Sequence, residues 1–404
     1  RASTYDEQPL DYAVSVKQRR RWTSGTIQVA GRYLSQLGRG VEQGSSPQAL
    51  VDLAALLVTP FYQAAALGGL ILSSVSAALA CPPVLAGWAN VVGQKEGAGP
   101  LGPYFDVVAQ DDSLGQPSWE RAERLMQQQA LSLALDRAGP GAPQPDWLFA
   151  GDLLNQCIGA SYAARAHGLP YFGLYGACST LGEGLCLAAM TLDGGFGARA
   201  GVVVSSHFCT AERQYRTPLE YGGQRTPTAQ WTATAAGAVI LSRSGRGPKI
   251  THVTVGRVID LGVTDANNMG AAMAPAACDT IAAHLRDTGR SPDFYDLIVT
   301  GDLGRLGSQL LLELLERRGI VLENHTDCGC LLFDQKSQDV HCGGSGCGCS
   351  ASLLCGHFLP ALQAGTMRQI LFAATGALMS PTASQQGESI PGISHLVELT
   401  RMYR

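Results

Sequence analysis

The chain repeats itself. Asp146–Gln156, DWLFAGDLLNQ, is echoed by Asp296–Leu306, DLIVTGDLGRL, and each is an apolar run that stops at Gly-Asp-Leu. Downstream, GACSTLGEGLCL and the strand-like GARAGVVVSS correspond to SGCGCSASLLCG and MRQILFAATG; aligning Arg199 with Arg368 sets Cys178 over Cys347. An internal repeat constrains a fold more than any local propensity does. Here it predicts two similar α/β halves of about 150 residues, each strand–helix–strand–elbow–helix–strand. The second half carries an extra loop, CGCLLFDQKSQDVHC.

The first-half elbow is the stretch with chemistry in it. Tyr171–Leu174 reads as a short buried strand, Gly176 and Ala177 keep the turn narrow, and Ser179 and Thr180 are N-cap types. Leu181, Leu185 and Ala188–Ala189 supply the helical stripe that follows. A cysteine at such a helix start faces unpaired N–H groups, which stabilise a thiolate and lower its pKa. Cys178 is therefore a candidate nucleophile or the floor of an anion-binding pocket. The other reading is a small buried hydrophobe, the usual fate of a free cysteine.

Upstream, the composition changes twice. Residues 1–48 hold seven Lys/Arg against four Asp/Glu and contain Gln18, Arg21 and Trp22 in a Q-x-x-R-W arrangement. That cluster resembles the end of the catalytic domain of a processive family-2 glycosyltransferase. The nucleotide-binding aspartates and general base of that family have no counterpart here, so glycosyl transfer is not expected. The alternative is a solvated basic helix. Residues 49–81 follow, and 53–81 carry no charge. That is long enough for a membrane helix, which needs roughly 20 apolar residues, although Pro60, Gln63 and Gly68–Gly69 interrupt it. A buried core helix is the other reading. From residue 82 the alternation is regular: a helix over Trp119–Leu135, strands at Asp146–Ala150 and Gly201–Ser205, and helices over Ser161–His167 and Ala276–Thr288. Two halves, 82–245 and 246–404, are expected. A net charge of −4 leaves no nucleic-acid footprint, and twelve cysteines without disulfide-like spacing point to a reducing compartment.

A duplicated α/β unit with an elbow cysteine resembles the thiolase-like plan, five layers with helices between two sheets. Specific strings narrow this further: PPVLAGWANVVGQKEGAGPLG, AGDLLNQ, FGLYGACST, TAERQYRTPLEYGGQRTPT, VGRVIDLGVTDANNMGAAMAPAA, DCG and GGSGCGCSA. In this order they resemble the stage V sporulation protein AD family, over about residues 82–398. The resemblance implies binding of dipicolinic acid (pyridine-2,6-dicarboxylate) and a part in moving it into, and out of, bacterial spores. It also implies other channel subunits as partners, a homodimer, and a place on the cytoplasmic face of the spore inner membrane, peripheral or anchored by 53–81. No cofactor is required, with Ca²⁺ at most accompanying the ligand.

Claisen-type enzymes of this fold need a nucleophile, a histidine and a second His or Asn. Where ketosynthase-like relatives carry H-Q-A-N this chain has Gly301-Asp302-Leu303-Gly304, and where they carry G-N-T-S it has Gly344-Ser345-Gly346. Two of three groups are thus missing, which favours a retained pocket without chemistry. The alternative is an active acyltransferase using Cys178. The candidate ligand-binding set is Cys178, Ser179 and Thr180 through helix-start amides, Arg213 and Arg216 as carboxylate clamps, and His207, Asp302, Ser345 and Cys347. His207 also reads as a core histidine, the arginines as surface ion pairs, and Asp152 and Asp302 as helix caps or Ca²⁺ ligands. Spacings of one residue in Cys328-x-Cys330 and Cys347-x-Cys349 are unusual for zinc, and no metal site is assigned.

Overall fold

The computed structural model describes residues 75–139, 141–215 and 225–401. The basic segment 1–48, Arg216 and residues 53–74 of the apolar run lie outside these. The principal elements are β1 (Val75–Ala78), β2 (Val84–Val92), α1 (Trp119–Arg137), β3 (Trp147–Gly151), α2 (Ile158–His167), β4 (Tyr171–Gly173), α3 (Thr180–Asp193), β5 (Arg199–Ser206), α4 (Phe208–Tyr215) and β6 (Ala235–Ser242). The second half continues with β7 (Lys249–Val255), α5 (Met269–Thr288), β8 (Leu297–Thr300), α6 (Gly304–Glu316), β9 (His325–Asp327), α7 (Cys347–Leu353), β10 (Gln369–Ala377) and β11 (Gly392–Thr400).

The duplication is visible in the strand order. The first half runs β2-β6-β5-β3-β4 and the second β7-β11-β10-β8-β9, and the two five-stranded sheets meet at one pair, Val84 with Lys249. In each half the three outer strands are parallel and the two inner pairings antiparallel. The repeat extends to single hydrogen bonds. Asp146 Oδ2 accepts the amides of Ala198 (2.7 Å) and Arg199 (3.1 Å). Its counterpart Asp296 accepts those of Arg368 and Gln369. Each carboxylate thereby fixes where the next parallel strand begins. Because both faces of β5 are covered, all eight of its residues are buried and RAGVVVSS carries no polar alternation.

Three apolar cores separate five layers. Met126, Leu131 and Ala160 of α1 and α2 pack on the outer face of the first sheet. Ile281, Leu285 and Leu311 of α5 and α6 pack on the outer face of the second. Leu181, Leu185 and Leu353 of α3 and α7 fill the space between. The inner helices are packed to the limit. A Cβ on Gly182 of α3 would lie 2.7 Å from the His395 carbonyl of β11, and one on Gly237 of β6 would lie 2.7 Å from Cβ of Ala351 in α7. Each half's inner helix therefore seats against the other half's sheet.

Four boundaries differ from the sequence reading. The strand at Tyr171–Gly173 is a sheet edge rather than a buried strand, with Phe172 half exposed. Helix α2 starts at Ile158, one turn early. Helix α5 starts at Met269, capped by the Asn268 side chain, and runs through Pro275. The domain also begins earlier than residue 82. Val75–Ala78 form a strand pairing antiparallel with Val255–His252, so the apolar run 53–81 is not helical to its end. Among the described residues no helix is long and apolar enough to cross a membrane. Leu79, just beyond β1, is buried and its amide donates to Thr251 O at 3.0 Å. A chain cut before residue 73 keeps β1 and is expected to be more stable than one cut before residue 82. Deleting 1–81 strips β7 of a neighbour and exposes the Leu79 site, a loss of at least about 2 kcal/mol. Denaturant midpoints of the two truncations check this; equal midpoints would place β1 outside the cooperative unit.

Candidate functional site

Three segments from both halves converge on Cys178. Cys178 lies on the single turn Ala177–Ser179 between β4 and α3, made sharp by Ala177 at φ 50°. Ser345 lies in a two-residue strand, Gly344–Ser345, parallel to Trp231–Thr232. Asp302 follows the end of β8. Gly346 holds the second-half loop in place with φ 99°, and a Cβ there would meet Ser206 Oγ at 2.6 Å.

These three side chains form one hydrogen-bonded string. The Ser345 hydroxyl donates to Asp302 Oδ2 at 2.9 Å, and Cys178 Sγ lies 3.8 Å from Ser345 Oγ. With its hydrogen committed to Asp302, Ser345 can only accept from Cys178, so the thiol is the donor. Asp302 Oδ2 also accepts the Gly346 amide (2.9 Å), and Oδ1 accepts the Thr375 hydroxyl (2.7 Å). Burial pushes the Asp302 carboxyl up, against the pull of these donors. The Cys178 thiol is pushed well above its ordinary value by burial first and then by the neighbouring Asp302. This corrects the expectation of a thiolate. The Ser179 amide is spent on Gly176 O at 3.0 Å, and the second half brings a carboxyl to the sulfur where a cation or donor would be needed.

Cys178 and Ser345 sit in the wall of a cleft enclosing about 620 Å³, counting its open mouth. Tyr175 and Tyr215 face each other across it with hydroxyls 2.8 Å apart, and the Tyr215 hydroxyl donates to Leu153 O at 2.5 Å. Gln230 lines it too; its Nε2 donates to Asp302 O (2.6 Å) and Gly344 O (2.8 Å), tying the Asp302 turn to the Ser345 loop. Glu212, Thr232, Asn267, Met269 and Met379 also line it, with Leu153 and several alanines between them. Glu212 pairs with Arg225 at 3.5 Å. Among the described residues lining the cleft there is no Lys, Arg or His.

The other expected ligands fall elsewhere. Ser179 and Thr180 are wholly buried beside the elbow, where the Thr180 hydroxyl donates to Ala177 O at 2.6 Å. His207 is a core histidine: Nε2 bonds Asp112 O at 2.8 Å, Nδ1 accepts the Cys209 amide at 3.1 Å, and burial lowers its pKa. The Cys347 thiol turns away from the cleft and donates to Ser205 O at 2.9 Å. Arg213 is no clamp. Helix α4 points Ala211, Glu212 and Tyr215 into the cleft, and Arg213, on the opposite side of that helix, pairs with Glu120 of α1. Arg216 lies outside the described residues. Asp152 accepts the amides of Leu154 (2.8 Å) and Ala160 (2.6 Å), so it caps α2. Among the described residues no three His, Cys, Asp or Glu side chains are grouped to hold a metal.

Sequence reasoning missed Tyr175, Tyr215, Gln230 and Thr232. For the last two a signal existed. Gln230-Trp231-Thr232 alternates, sending the flanking polar residues to the cleft, while Trp231 stacks on Phe208 with ring centroids 3.7 Å apart.

Comparison with known proteins agrees with the geometry. OleA of Xanthomonas campestris bound to cerulenin superposes with a TM-score of 0.52 at 16% identity, covering 80% of this chain and 98% of that one. A variant of OleA, also with cerulenin, gives 0.51 at 16% identity over 79% and 96%. These establish the thiolase-like fold. Stage V sporulation protein AD of Bacillus subtilis (strain 168) is 46% identical over 313 residues, 77% of this chain and 92% of that protein. The family described as Stage V sporulation protein AD (SpoVAD) matches residues 73–400, beginning two residues before β1. The chain belongs to the stage V sporulation protein AD family.

Proposed function

We propose that this chain is a ligand-binding, non-catalytic protein whose Cys178 cleft takes pyridine-2,6-dicarboxylate for transport into and release from bacterial spores. One observation carries the reading: a carboxyl and a hydroxyl, Asp302 and Ser345, stand beside the thiol where acyl transfer requires donors aimed at a developing oxyanion. An ionised Asp302 opposes both a thiolate and a tetrahedral oxyanion, and each missing donor costs about 10²–10³ in rate. The cleft survives without the chemistry. Calorimetric titration of the chain with pyridine-2,6-dicarboxylate, with and without Ca²⁺, tests the binding; in this reading Ca²⁺ enters with the ligand and is not a resident cofactor. Acyl-CoA labelling tests the rest. No acyl group is expected on Cys178, and its alkylation by iodoacetamide should be at least about tenfold slower than that of an unperturbed thiol. Acyl-CoA turnover that stops in Cys178→Ala would establish the acyltransferase instead, a reading favoured by the continuous string from sulfur to carboxyl.

The sheet edge suits a second copy of the chain. Phe172 of β4 and Phe196 beyond α3 are 50% and 75% exposed beside an apolar groove lined by Trp147, Phe149 and Leu187. An unpaired edge with such a flank needs covering, and the proposed assembly is a homodimer, working with other spore membrane channel subunits at the cytoplasmic face of the inner membrane. Phe172→Asp is expected to convert the dimer to monomer in light scattering at micromolar concentration. A wild-type monomer there would remove this part of the reading.

A further inference from the structure

We infer that Asp302 couples the occupancy of this cleft to proton uptake, one proton entering with each ionised carboxylate ligand. The inference rests on the ligand-binding reading above and concerns how that site is controlled.

The argument begins with hydrogens. A carboxylate seated against Cys178 and Ser345 needs donors, and Ser345 has one hydrogen, already given to Asp302 Oδ2. Among the described residues the cleft wall offers no cationic side chain to take its place. Gln230 is committed as well, with Nε2 between two carbonyls, and the other amide and hydroxyls of the lining, on Asn267, Thr232 and the two tyrosines, bring no charge to balance a carboxylate. If Asp302 takes a proton on Oδ2, the string reverses. Asp302 donates to Ser345 Oγ, and the serine hydroxyl is released to donate to the ligand. The Cys178 thiol keeps its place, because Ser345 Oγ has two lone pairs and can accept from Asp302 and Cys178 together. Asp302 keeps its other partners in both states, since the Gly346 amide and the Thr375 hydroxyl need only lone pairs. One proton from solvent therefore frees one donor at the cleft wall, the Ser345 hydroxyl, and removes a negative charge behind it.

The surroundings of Asp302 favour the protonated form once an anion arrives. Its titratable neighbours are acids on every side: Cys178 from the elbow, Cys347 and Cys349 from α7, and Asp327 and Cys328 at the end of β9. Asp327 is held by the amides of Leu303 and Gly304 (both 2.9 Å) and by the Thr300 hydroxyl, which also reaches His325 Nε2 at 3.0 Å. That histidine is kept neutral by burial. A second negative charge brought to Cys178 meets no compensating cation among these groups. Proton uptake is the compensation available.

The test uses the full chain and pyridine-2,6-dicarboxylate, whose carboxyls stay ionised throughout pH 6–9. Titration calorimetry in buffers of different ionisation enthalpy reads the protons taken up directly on the unaltered protein. Uptake should rise from near zero at low pH toward about one per ligand at high pH, and affinity should then fall about tenfold per pH unit. Asp302→Asn removes the ionisable group and its negative charge, so its affinity should be flat with pH and exceed wild type at pH 9. Binding with no proton uptake and an affinity flat from pH 6 to 9 would overturn the inference while leaving the binding reading standing. So would an Asp302→Asn variant that keeps the wild-type slope. Absence of binding at every pH would defeat both.

Discussion

Cys178→Trp is expected to abolish ligand binding, while Cys178→Ala weakens it only about two- to fivefold. The sulfur stands in the cleft wall 3.8 Å from Ser345 Oγ, in the same lining as the tyrosine pair. An indole there fills the space a pyridine ring would occupy. Alanine removes one weak donor, a neutral hydrogen bond whose net contribution is at most about 1 kcal/mol. Circular dichroism and melting temperature should show both variants folded, the tryptophan variant with a few degrees' loss from overpacking. A Cys178→Trp protein that binds like the parent would move the ligand site away from this cleft. A parallel Arg213→Ala titration should now show no effect, because that side chain is paired with Glu120 on the outer surface.

The second large effect concerns stability against pH. Glu123 of α1 is completely buried, with Oε1 accepting from Ser205 Oγ (2.9 Å) and Oε2 from Thr210 Oγ1 (2.8 Å). Burial, and then the nearby Asp152, push its carboxyl up to about 8 from the usual 4.5. Glu96 is likewise pushed up to about 8 and Asp327 to about 7, both chiefly by burial. In each case the folded protein holds its proton to a higher pH than the unfolded chain does. Stability is therefore fully present below the unfolded value and falls as pH rises toward the folded one. The loss is about 1.4 kcal/mol per pH unit for each such group in that window. Between pH 6 and 8 the melting temperature should drop steeply, and Glu123→Gln should remove about a third of the slope. A variant whose slope matches wild type would show that Glu123 ionises without cost, through a rearrangement of α1.

Much of this was legible in the residues. The repeat announced two equivalent sheets because the same Gly-Asp-Leu stop and the same elbow recur, and the paired Asp146 and Asp296 interactions show how closely the copies agree. Asp302 and Ser345 were legible as the replacements for two electrophile-handling groups. The electrostatics of Cys178 were not. Its turn looks like a thiolate site when read locally, and the carboxyl that reverses this arrives from more than a hundred residues away. Arg213 was misread for a related reason: helical periodicity says which residues share a face, but not which neighbour that face meets. The strand at Val75–Ala78 hid inside an uncharged run, where nothing in the composition separates a strand from a helix.

The interleaved inner helices have a consequence for how the protein is made. Helix α3 seats against β11, the last strand among the described residues, with Gly182 beneath the His395 carbonyl. A ribosome adds about 5–20 residues per second, so the apolar face of α3 emerges and then waits about 10–40 s for its partner strand. During synthesis the first half is consequently an unfinished object with a bare inner surface. Stop codons, pauses or cleavage between the halves should yield aggregates or chaperone clients rather than a stable half-protein, and the two halves should refold as one cooperative unit.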